Sequence, residues 1–312
     1  MSGTDNVLRT KVLIELNEDF HQADHVNSAL EAGVLKELIR CFKEKDNVIR
    51  ELASRAVLKA ACTEKGRDTL VKSKVVAEIK VLFDDHEVKI RNNAYVSLIN
   101  LAEFRFGIDG IIDASIIPIL VEKLVVEKEE PILILILQLI KVLSEGEKAP
   151  VILLNTPALA RLNSHLTSKN AYIREFSALN IGSISFNVLG KEKTIEAKSI
   201  EPLSKMLHDK VIEVRAAALR ALASLAQVKQ GKVQIYDLDI LDRVIELLND
   251  ESEQTRLNTV QLISAVGEYP PAREKFKECL EKLKDMVAKE KFHSPLVSRF
   301  AQTAINVITW KP

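Results

Sequence analysis

Two histidines four residues apart are the side chains of this sequence that come nearest to a metal site. His21 and His25 share one face of a predicted helix, and Asp24 lies beside them. A metal ion needs a third and usually a fourth ligand, which this pattern does not supply. The pair is therefore more typical of an exposed surface than of a metal centre, and we expect no bound metal.

The sequence also contains none of the motifs that place a catalytic group. It has no glycine-rich phosphate loop, no HExxH helix, no nucleophile elbow and no CxxC pair. Its three cysteines, Cys41, Cys62 and Cys279, are too few and too far apart for a disulfide framework. We expect no enzymatic activity, no cofactor and no small-molecule substrate.

Arginine is the charged residue that recurs with a regular spacing. Similar segments carry it at intervals of 41, 83, 41 and 41 residues, at Arg50, Arg91, Arg174, Arg215 and Arg256. The double interval predicts a further copy between Arg91 and Arg174, with Ile132 in the anchor position. Counting outward by one period reaches Arg9 and Ser298. A period of 41–42 residues is typical of armadillo and HEAT repeats.

The residues around each anchor predict the helices that hold the arginines. Positions 3, 7 and 10 after the anchor are small or apolar, as in Ala218, Leu222 and Leu225, and this spacing marks one helical face. Apolar residues 15 and 12 positions before the anchor predict a second helix. Glycines 16 positions after it, such as Gly66 and Gly231, are expected to end the long helix. Each repeat is thus predicted to be a helical hairpin.

A helical hairpin of this kind buries its two apolar flanks only by stacking on its neighbours. The predicted fold class is therefore all-α. We expect an armadillo- or HEAT-like, right-handed superhelical solenoid of about seven repeats with a partial N-terminal repeat.

The arginine column allows two interpretations. In the favoured one it is a structural ladder, in which each arginine pairs with an acid of the preceding turn or of the adjacent repeat. In the alternative it forms a track for phosphate or an acidic peptide. The acids placed for a ladder are Asp46, Asp84, Asp85, Asp209 and Asp250.

The third repeat departs from the pattern over residues 131–143, where Leu133, Ile134 and Leu137 occupy positions that are polar in several other copies. This helix is either buried locally or forms a partner-docking patch on the groove. Further polar side chains are predicted to face the groove and to hold an extended partner, the alternative being a solvated helix face: Asn93, Asn100, Lys141, Arg220 and Gln261. The single tryptophan, Trp310, argues against the tryptophan–asparagine array of nuclear import receptors.

Charge and hydropathy narrow the class of partner. Lys and Arg number 44 and Asp and Glu number 44, so the net charge of zero gives no reason to expect nucleic acid or an anionic membrane. No basic segment followed by an apolar stretch opens the sequence, and the longest apolar run, Ile132–Leu137, is far shorter than the roughly 20 residues of a membrane helix. We expect an N-terminal tail at residues 1–8, one solenoid domain at 9–312, and a cytoplasmic or cytoskeletal location.

Several segments resemble the radial spoke head 14 family, armadillo-repeat proteins of ciliary and flagellar axonemes. The C-terminal string RFAQTAINVITWKP carries the resemblance most specifically. Four others follow in the same order as in that family: RTKVLIEL, EAGVLKELI, IIPILVEKLVVEKEE and SIEPLSKMLHDKVIEVRAAALRALASLA. The likeness covers residues 9–312. It departs from the family in its start, since only eight residues precede Arg9 where the resemblance implies a longer lead.

The resemblance implies a non-catalytic scaffold subunit of the radial spoke, the complex that links outer doublet microtubules to the central apparatus. Its partners would be other spoke and axonemal proteins, held along the concave groove, and its location would be the axoneme of the cilium or flagellum. The alternative is a soluble cytosolic armadillo adaptor that binds peptide segments reversibly.

Overall fold

A computed structural model describes residues 2–73 and 75–311, and over these residues the chain is helical and has no strand. The predicted all-α, armadillo- or HEAT-like repeat fold is confirmed. The chain divides into two compact units, residues 1–149 and residues 150–312. No helix of the described ranges combines the length and the apolar character that crossing a bilayer demands.

The first unit stacks its long helices in chain order, α1 on α4, α4 on α7 and α7 on α10. Its helices are α1 (Ser2–Asp19), α2 (Ala23–Glu31), α3 (Val34–Cys41), α4 (Asn47–Ala61), α5 (Glu64–Lys72), α6 (Val75–Glu78, continued by a 3₁₀ segment Ile79–Asp84), α7 (Val88–Leu101), α8 (Arg105–Asp113), α9 (Ile116–Val126) and α10 (Glu130–Leu143).

The second unit repeats this stacking, with α13 on α16, α16 on α19 and α19 on α22. The boundary between the units falls in α11 (Lys148–Leu154). The remaining helices are α12 (Ala158–His165), α13 (Ala171–Ile184), α14 (Val188–Glu196), α15 (Ile200–Lys205, then 3₁₀ Met206–His208), α16 (Ile212–Leu225), α17 (Lys229–Asp237), α18 (Leu241–Glu246, then 3₁₀ Leu247–Asn249), α19 (Glu253–Val266), α20 (Pro270–Phe276, then 3₁₀ Lys277–Cys279), α21 (Leu280–Lys289) and α22 (Pro295–Thr309).

The predicted N-terminal tail, residues 1–8, overlaps a helix, since α1 begins at Ser2. The predicted boundary before Arg9 therefore falls inside α1. The assignment of residues 9–312 to one domain stays a prediction.

Polar side chains at the helix starts explain where the long helices begin. Asp46 accepts a hydrogen bond from the backbone N–H of Val48 at 2.9 Å, and Ser252 accepts one from Thr255 at 3.3 Å. These N-caps satisfy backbone donors that have no partner within the helix. The small and apolar positions predicted for the core are buried behind them; Ala218, for example, has no exposed surface.

The prediction of two helices per repeat is wrong, because a short helix precedes the other two in most repeats. α5, α8, α14 and α17 each span nine residues between one long helix and the next hairpin. Three helices per repeat is the armadillo arrangement. The sequence contains N-cap residues for two of these short helices. Thr63 caps α5 by accepting from the N–H of Gly66, and Asn187 caps α14 by accepting from the N–H of Gly190.

The glycines 16 positions after the anchor have a different role from the predicted one. Gly66 and Gly231 lie within α5 and α17, and neither has the positive φ of a helix-ending glycine. A Cβ on Gly66 would lie 2.0 Å from the carbonyl oxygen of Ala60, and one on Gly231 would lie 2.0 Å from that of Leu225. Glycine is required because the short helix packs directly on the carboxyl end of the long helix.

Candidate protein-binding site

The five predicted arginines each use their guanidinium groups in the same way. Nη1 of Arg215 donates to the carbonyls of Asp209 at 2.9 Å and Lys210 at 3.2 Å, which lie in the turn before its own helix. Nη2 donates to the carboxylate of Asp250 in the next repeat at 2.6 Å. The other pairs have the same form: Arg50 with Asp85 at 2.6 Å, Arg91 with Glu127 at 3.0 Å, Arg174 with Asp209 at 2.7 Å and Arg256 with Glu290 at 2.8 Å.

Three of these acids, Asp85, Asp209 and Asp250, each join two consecutive arginines within a unit. The side chain of Asp209 accepts from Arg174, while its backbone carbonyl accepts from Arg215. Burial would raise the pKa of Asp209, but the hydrogen bonds from Arg174 and from the N–H of Val211 outweigh it and hold the pKa below its usual value. The ladder arginines are 11–20% exposed with their donors occupied, a geometry that supports the structural interpretation over a phosphate track.

The acids of the ladder differ in part from those predicted. Asp46 caps α4, and Asp84 pairs with Lys123. Sequence inspection missed Glu127 and Glu290, because a glutamate placed one residue away from the aspartate position can reach the same guanidinium. It also missed Glu44, which accepts from Arg9 at 2.8 Å.

The third repeat has its anchor one residue later than predicted. α4, α7, α13, α16 and α19 all begin three residues before their arginine, and α10 begins three residues before Leu133. Leu133, and not Ile132, therefore takes the arginine position. The serine 35 residues further on, Ser168, stands where other repeats carry the paired acid, so arginine and acid are both replaced.

This one-residue shift of register explains why the apolar residues of α10 are buried. Leu137 now corresponds to Tyr95 and Leu219 of other repeats, which are core residues with no exposed surface, and Leu137 itself has none. Leu133 is 7% exposed and Ile134 is half-buried. The burial alternative accounts for Leu133 and Leu137, since a side chain without exposed surface is not available to a partner.

The predicted groove residues divide between the two units. In the first unit Asn93 is buried and donates to Ser54 Oγ at 3.0 Å, so its amide serves the core. Asn100 is half-buried and donates to Cys62 Sγ at 3.4 Å, and Lys141 pairs with Glu145 on its own helix. In the second unit Arg220 is exposed and Gln261 is half-buried.

Arg220 lies in a pocket on the surface of the second unit formed by α13, α16 and α19. This pocket, of about 320 Å³, is lined by two further charged side chains, Glu175 and Glu213, and by the amides of Gln254 and Asn258. Ala216 and Ala217 form its floor and are 8% and 3% exposed. Sequence inspection did not identify these two glutamates. Glu175 follows Arg174 and Glu213 lies two residues before Arg215, so both resemble ordinary solvent-exposed charges in the sequence.

Burial and the nearby charge of Glu213 raise the pKa of Glu175. Both causes disfavour the ionised carboxylate, so the free pocket holds negative charge at some cost in free energy. The pocket offers carboxylates, a guanidinium, amides and the hydroxyl of Ser252, which caps α19. Its chemistry suits recognition of a charged segment.

A second set of basic residues, also missed, braces the other end of the long helices. Arg67 donates from Nη1 to the carbonyls of Ala61 at 3.3 Å and Cys62 at 3.2 Å, and its guanidinium lies 4.5 Å from the centroid of the Phe104 ring. Arg273 donates to the carbonyls six and five residues before it and lies 5.0 Å from the Trp310 ring. The sequence feature that could have identified these residues is a basic residue directly after a small one, as in Gly66–Arg67 and Ala272–Arg273.

His21 and His25, the pair with metal-ligand spacing, contact different side chains. Nε2 of His21 lies 3.2 Å from Lys59 Nζ, and Nδ1 of His25 lies 3.8 Å from Asp19. Within residues 2–73 and 75–311, no three His, Cys, Asp or Glu side chains group as metal ligands. Of the cysteines, Cys279 is buried, which raises its pKa to about 11.

Comparison with known proteins supports the repeat fold. The HEAT-like repeat family model matches residues 212–266, which run from the first residue of α16 to the last of α19. This chain is similar to the crystal structure of an engineered protein, a structural genomics target, with a TM-score of 0.84 at 19% sequence identity. The alignment covers 95% of this chain and 74% of the engineered one. A second engineered protein is similar over 74% of this chain and 98% of its own, with a TM-score of 0.69 at 20% identity.

These likenesses concern the fold, and this chain is a helical repeat protein. Such folds are compatible with a non-catalytic scaffold or binding role, because each repeat contacts only its neighbours and leaves an extended surface for partners.

Proposed function

We propose that this protein is a structural scaffold subunit of the axonemal radial spoke, which holds other spoke proteins on the exposed faces of its long helices. The proposal rests on the resemblance of residues 9–312 to the radial spoke head 14 family. In the C-terminal string that carries this resemblance, residues 299–309 lie in α22 and the ring of Trp310 lies under the guanidinium of Arg273.

The observation that best supports a scaffold is the ladder. Arg174, Asp209, Arg215, Asp250 and Arg256 form a continuous chain of hydrogen bonds in the second unit, with each residue bonded to a neighbouring repeat or to its own turn. A chain of this kind fixes the angle between successive repeats. A partner bound to one repeat would therefore be held in a set orientation to a partner on the next.

The proposed mode of action is mechanical. Spoke proteins would attach to neighbouring repeats, and the braced helices would transmit load between them without chemical change. The cell would use the protein for regulation of ciliary or flagellar motility through the geometry of the spoke.

Detergent extraction of isolated axonemes tests the proposal. The tagged protein should stay in the insoluble axoneme with the spokes and should be missing from axonemes of a strain that lacks spokes. That strain is the matched control, since its microtubules and dyneins remain. Recovery of the protein wholly in the detergent-soluble fraction would contradict the proposal.

A soluble cytosolic adaptor that binds peptides reversibly is the second candidate. The pocket of α13, α16 and α19 favours it, because its charged side chains form no ion pair among the residues that the structure describes. The same extraction separates the two functions, since an adaptor washes out with detergent and a spoke subunit does not.

A further inference from the structure

We propose that the pocket of α13, α16 and α19 binds an extended segment of a partner protein that carries a basic and an acidic side chain about three residues apart. This inference deepens the proposed function and rests on it only in assuming a protein partner. The pocket lies wholly within the second unit.

The basic side chain of the partner would meet Glu175 and Glu213. Among the residues that the structure describes, neither glutamate forms an ion pair, although both line the same pocket. Leu179 and Ile212 line it as well and offer an apolar path for the methylene stem of a lysine or arginine. A bound cation would relieve the repulsion between the two carboxylates.

The acidic side chain would meet Arg220. This arginine is exposed and forms no ion pair within the described ranges, whereas the neighbouring ladder arginine, Arg215, has its donors occupied. Arg220 follows Glu213 by seven residues on α16, which places it two turns along the same face, at a distance of about 10 Å. The pocket therefore presents opposite charges at its two ends.

The floor between the charges suits a peptide backbone. Ala216 and Ala217 present only methyl groups there, so an extended segment can lie close to α16. Asn258 is held by its bond to the carbonyl of Ala216 at 2.7 Å and by the amide of Gln254 at 2.9 Å. Gln254 is exposed, and its amide oxygen can accept a hydrogen bond from a backbone N–H of the segment.

The spacing of the charges sets the spacing in the partner. An extended segment in the polyproline II conformation advances about 3.1 Å per residue and presents every third side chain on the same face, so about 10 Å corresponds to about three residues. A helical segment would need its charges about seven residues apart to span the same distance. The alanine floor favours the extended segment, since its backbone can lie close to α16.

Fluorescence anisotropy with the full chain and labelled nonapeptides tests this inference. The peptides consist of serine, alanine and leucine and carry one lysine and one glutamate three positions apart, in either order. We expect one order to bind, and we expect binding to weaken about three- to fivefold when norleucine replaces lysine or glutamine replaces glutamate. A peptide with the two charges six positions apart should bind as weakly as these singly charged peptides.

Protein variants identify the pocket. Glu213→Lys combined with Arg220→Glu should reverse the preferred order of charges in the peptide, and Glu213→Gln should reduce the preference for lysine over norleucine. Glu192→Gln, an exposed glutamate on α14 outside the pocket, is the matched control and should change nothing. Thermal unfolding by circular dichroism checks that every variant is folded.

Three results would overturn the inference: no binding of either charged peptide at millimolar concentration, equal binding of lysine and norleucine peptides, or an unchanged order in the doubly exchanged variant. Detergent extraction of axonemes is independent of all three. A chain retained in the axoneme with an unselective pocket would leave the proposed function standing and this inference rejected.

Discussion

Arg174 and Asp209 join two consecutive repeats through a pair of hydrogen bonds, from Nε at 2.7 Å and from Nη2 at 2.9 Å, although 35 residues separate them in the sequence. The same two-pronged contact recurs between Arg50 and Asp85 in the first unit. The planar guanidinium matches the carboxylate in a way that lysine cannot. The ladder therefore fixes orientation as well as distance between repeats.

Arg215→Ala should lower the free energy of unfolding by about 3 kcal/mol, because it leaves the buried carboxylate of Asp250 without its partner. Urea unfolding followed by circular dichroism measures the change. Arg40→Ala is the control, since Arg40 and Glu37 form an exposed pair of 63% exposure each. That variant should unfold like the parent, and an equal loss in both variants would contradict a special role for the ladder.

Acid should weaken the ladder. The pKa of Asp209 is lower in the folded chain than in the unfolded one, so the unfolded chain binds more protons as the pH falls. The stabilisation is complete above the ordinary pKa of an aspartate and is lost as the pH falls through the lowered folded-state value. The urea midpoint should therefore fall less steeply below about pH 4 in Asp209→Asn than in the parent. Parallel curves would argue against the pair.

Glu175→Gln should stabilise the protein slightly at neutral pH. The folded chain raises the pKa of Glu175 through burial and the charge of Glu213, so the ionised form is disfavoured there. Removal of that charge should add a few tenths of a kcal/mol, since the site is still partly solvated. The gain should shrink as the pH falls and the carboxylate of the parent takes up its proton. A lower melting temperature for the variant at pH 7 would contradict the account.

Gly231→Ala should destabilise the chain by about 1–3 kcal/mol, because the new Cβ would lie 2.0 Å from the backbone carbonyl of Leu225, which cannot move aside as a side chain can. Gly146→Ala is the matched control, since the nearest atom to its Cβ would be 3.9 Å away. Differential scanning calorimetry of the two variants measures the contrast. Equal melting temperatures would show that the short helix does not need the close approach.

Leu137→Ser should cost about 3 kcal/mol, because Leu137 has no exposed surface and its removal leaves a cavity lined by apolar groups. Val125→Ser, at a side chain that is 64% exposed, is the control and should leave the stability nearly unchanged. Thermal unfolding provides the measurement. A stable, fully folded Leu137→Ser chain that has lost a protein partner would restore the docking-patch interpretation.

The sequence by itself determined the repeat, its period and the buried positions of most long helices. Side chains such as Ala218 and Leu222 are selected by burial at every stack, so their spacing records the fold directly. The sequence also favoured pairing of the arginine column with acids, and all three ladder aspartates, Asp85, Asp209 and Asp250, are among the five acids it predicted.

Only the tertiary structure decided the features that depend on distance across repeats. The start of α10 moved the third anchor from Ile132 to Leu133, a change of one residue that turns the apolar side chains by about 100° around the helix. The packing of α5 on α4 explained Gly66, and the juxtaposition of α13 and α16 brought Glu175 near Glu213. A periodic sequence specifies which face of a helix is buried, but a charge or a missing Cβ acquires its role from the neighbour it meets, and that neighbour lies a full repeat or more away along the chain.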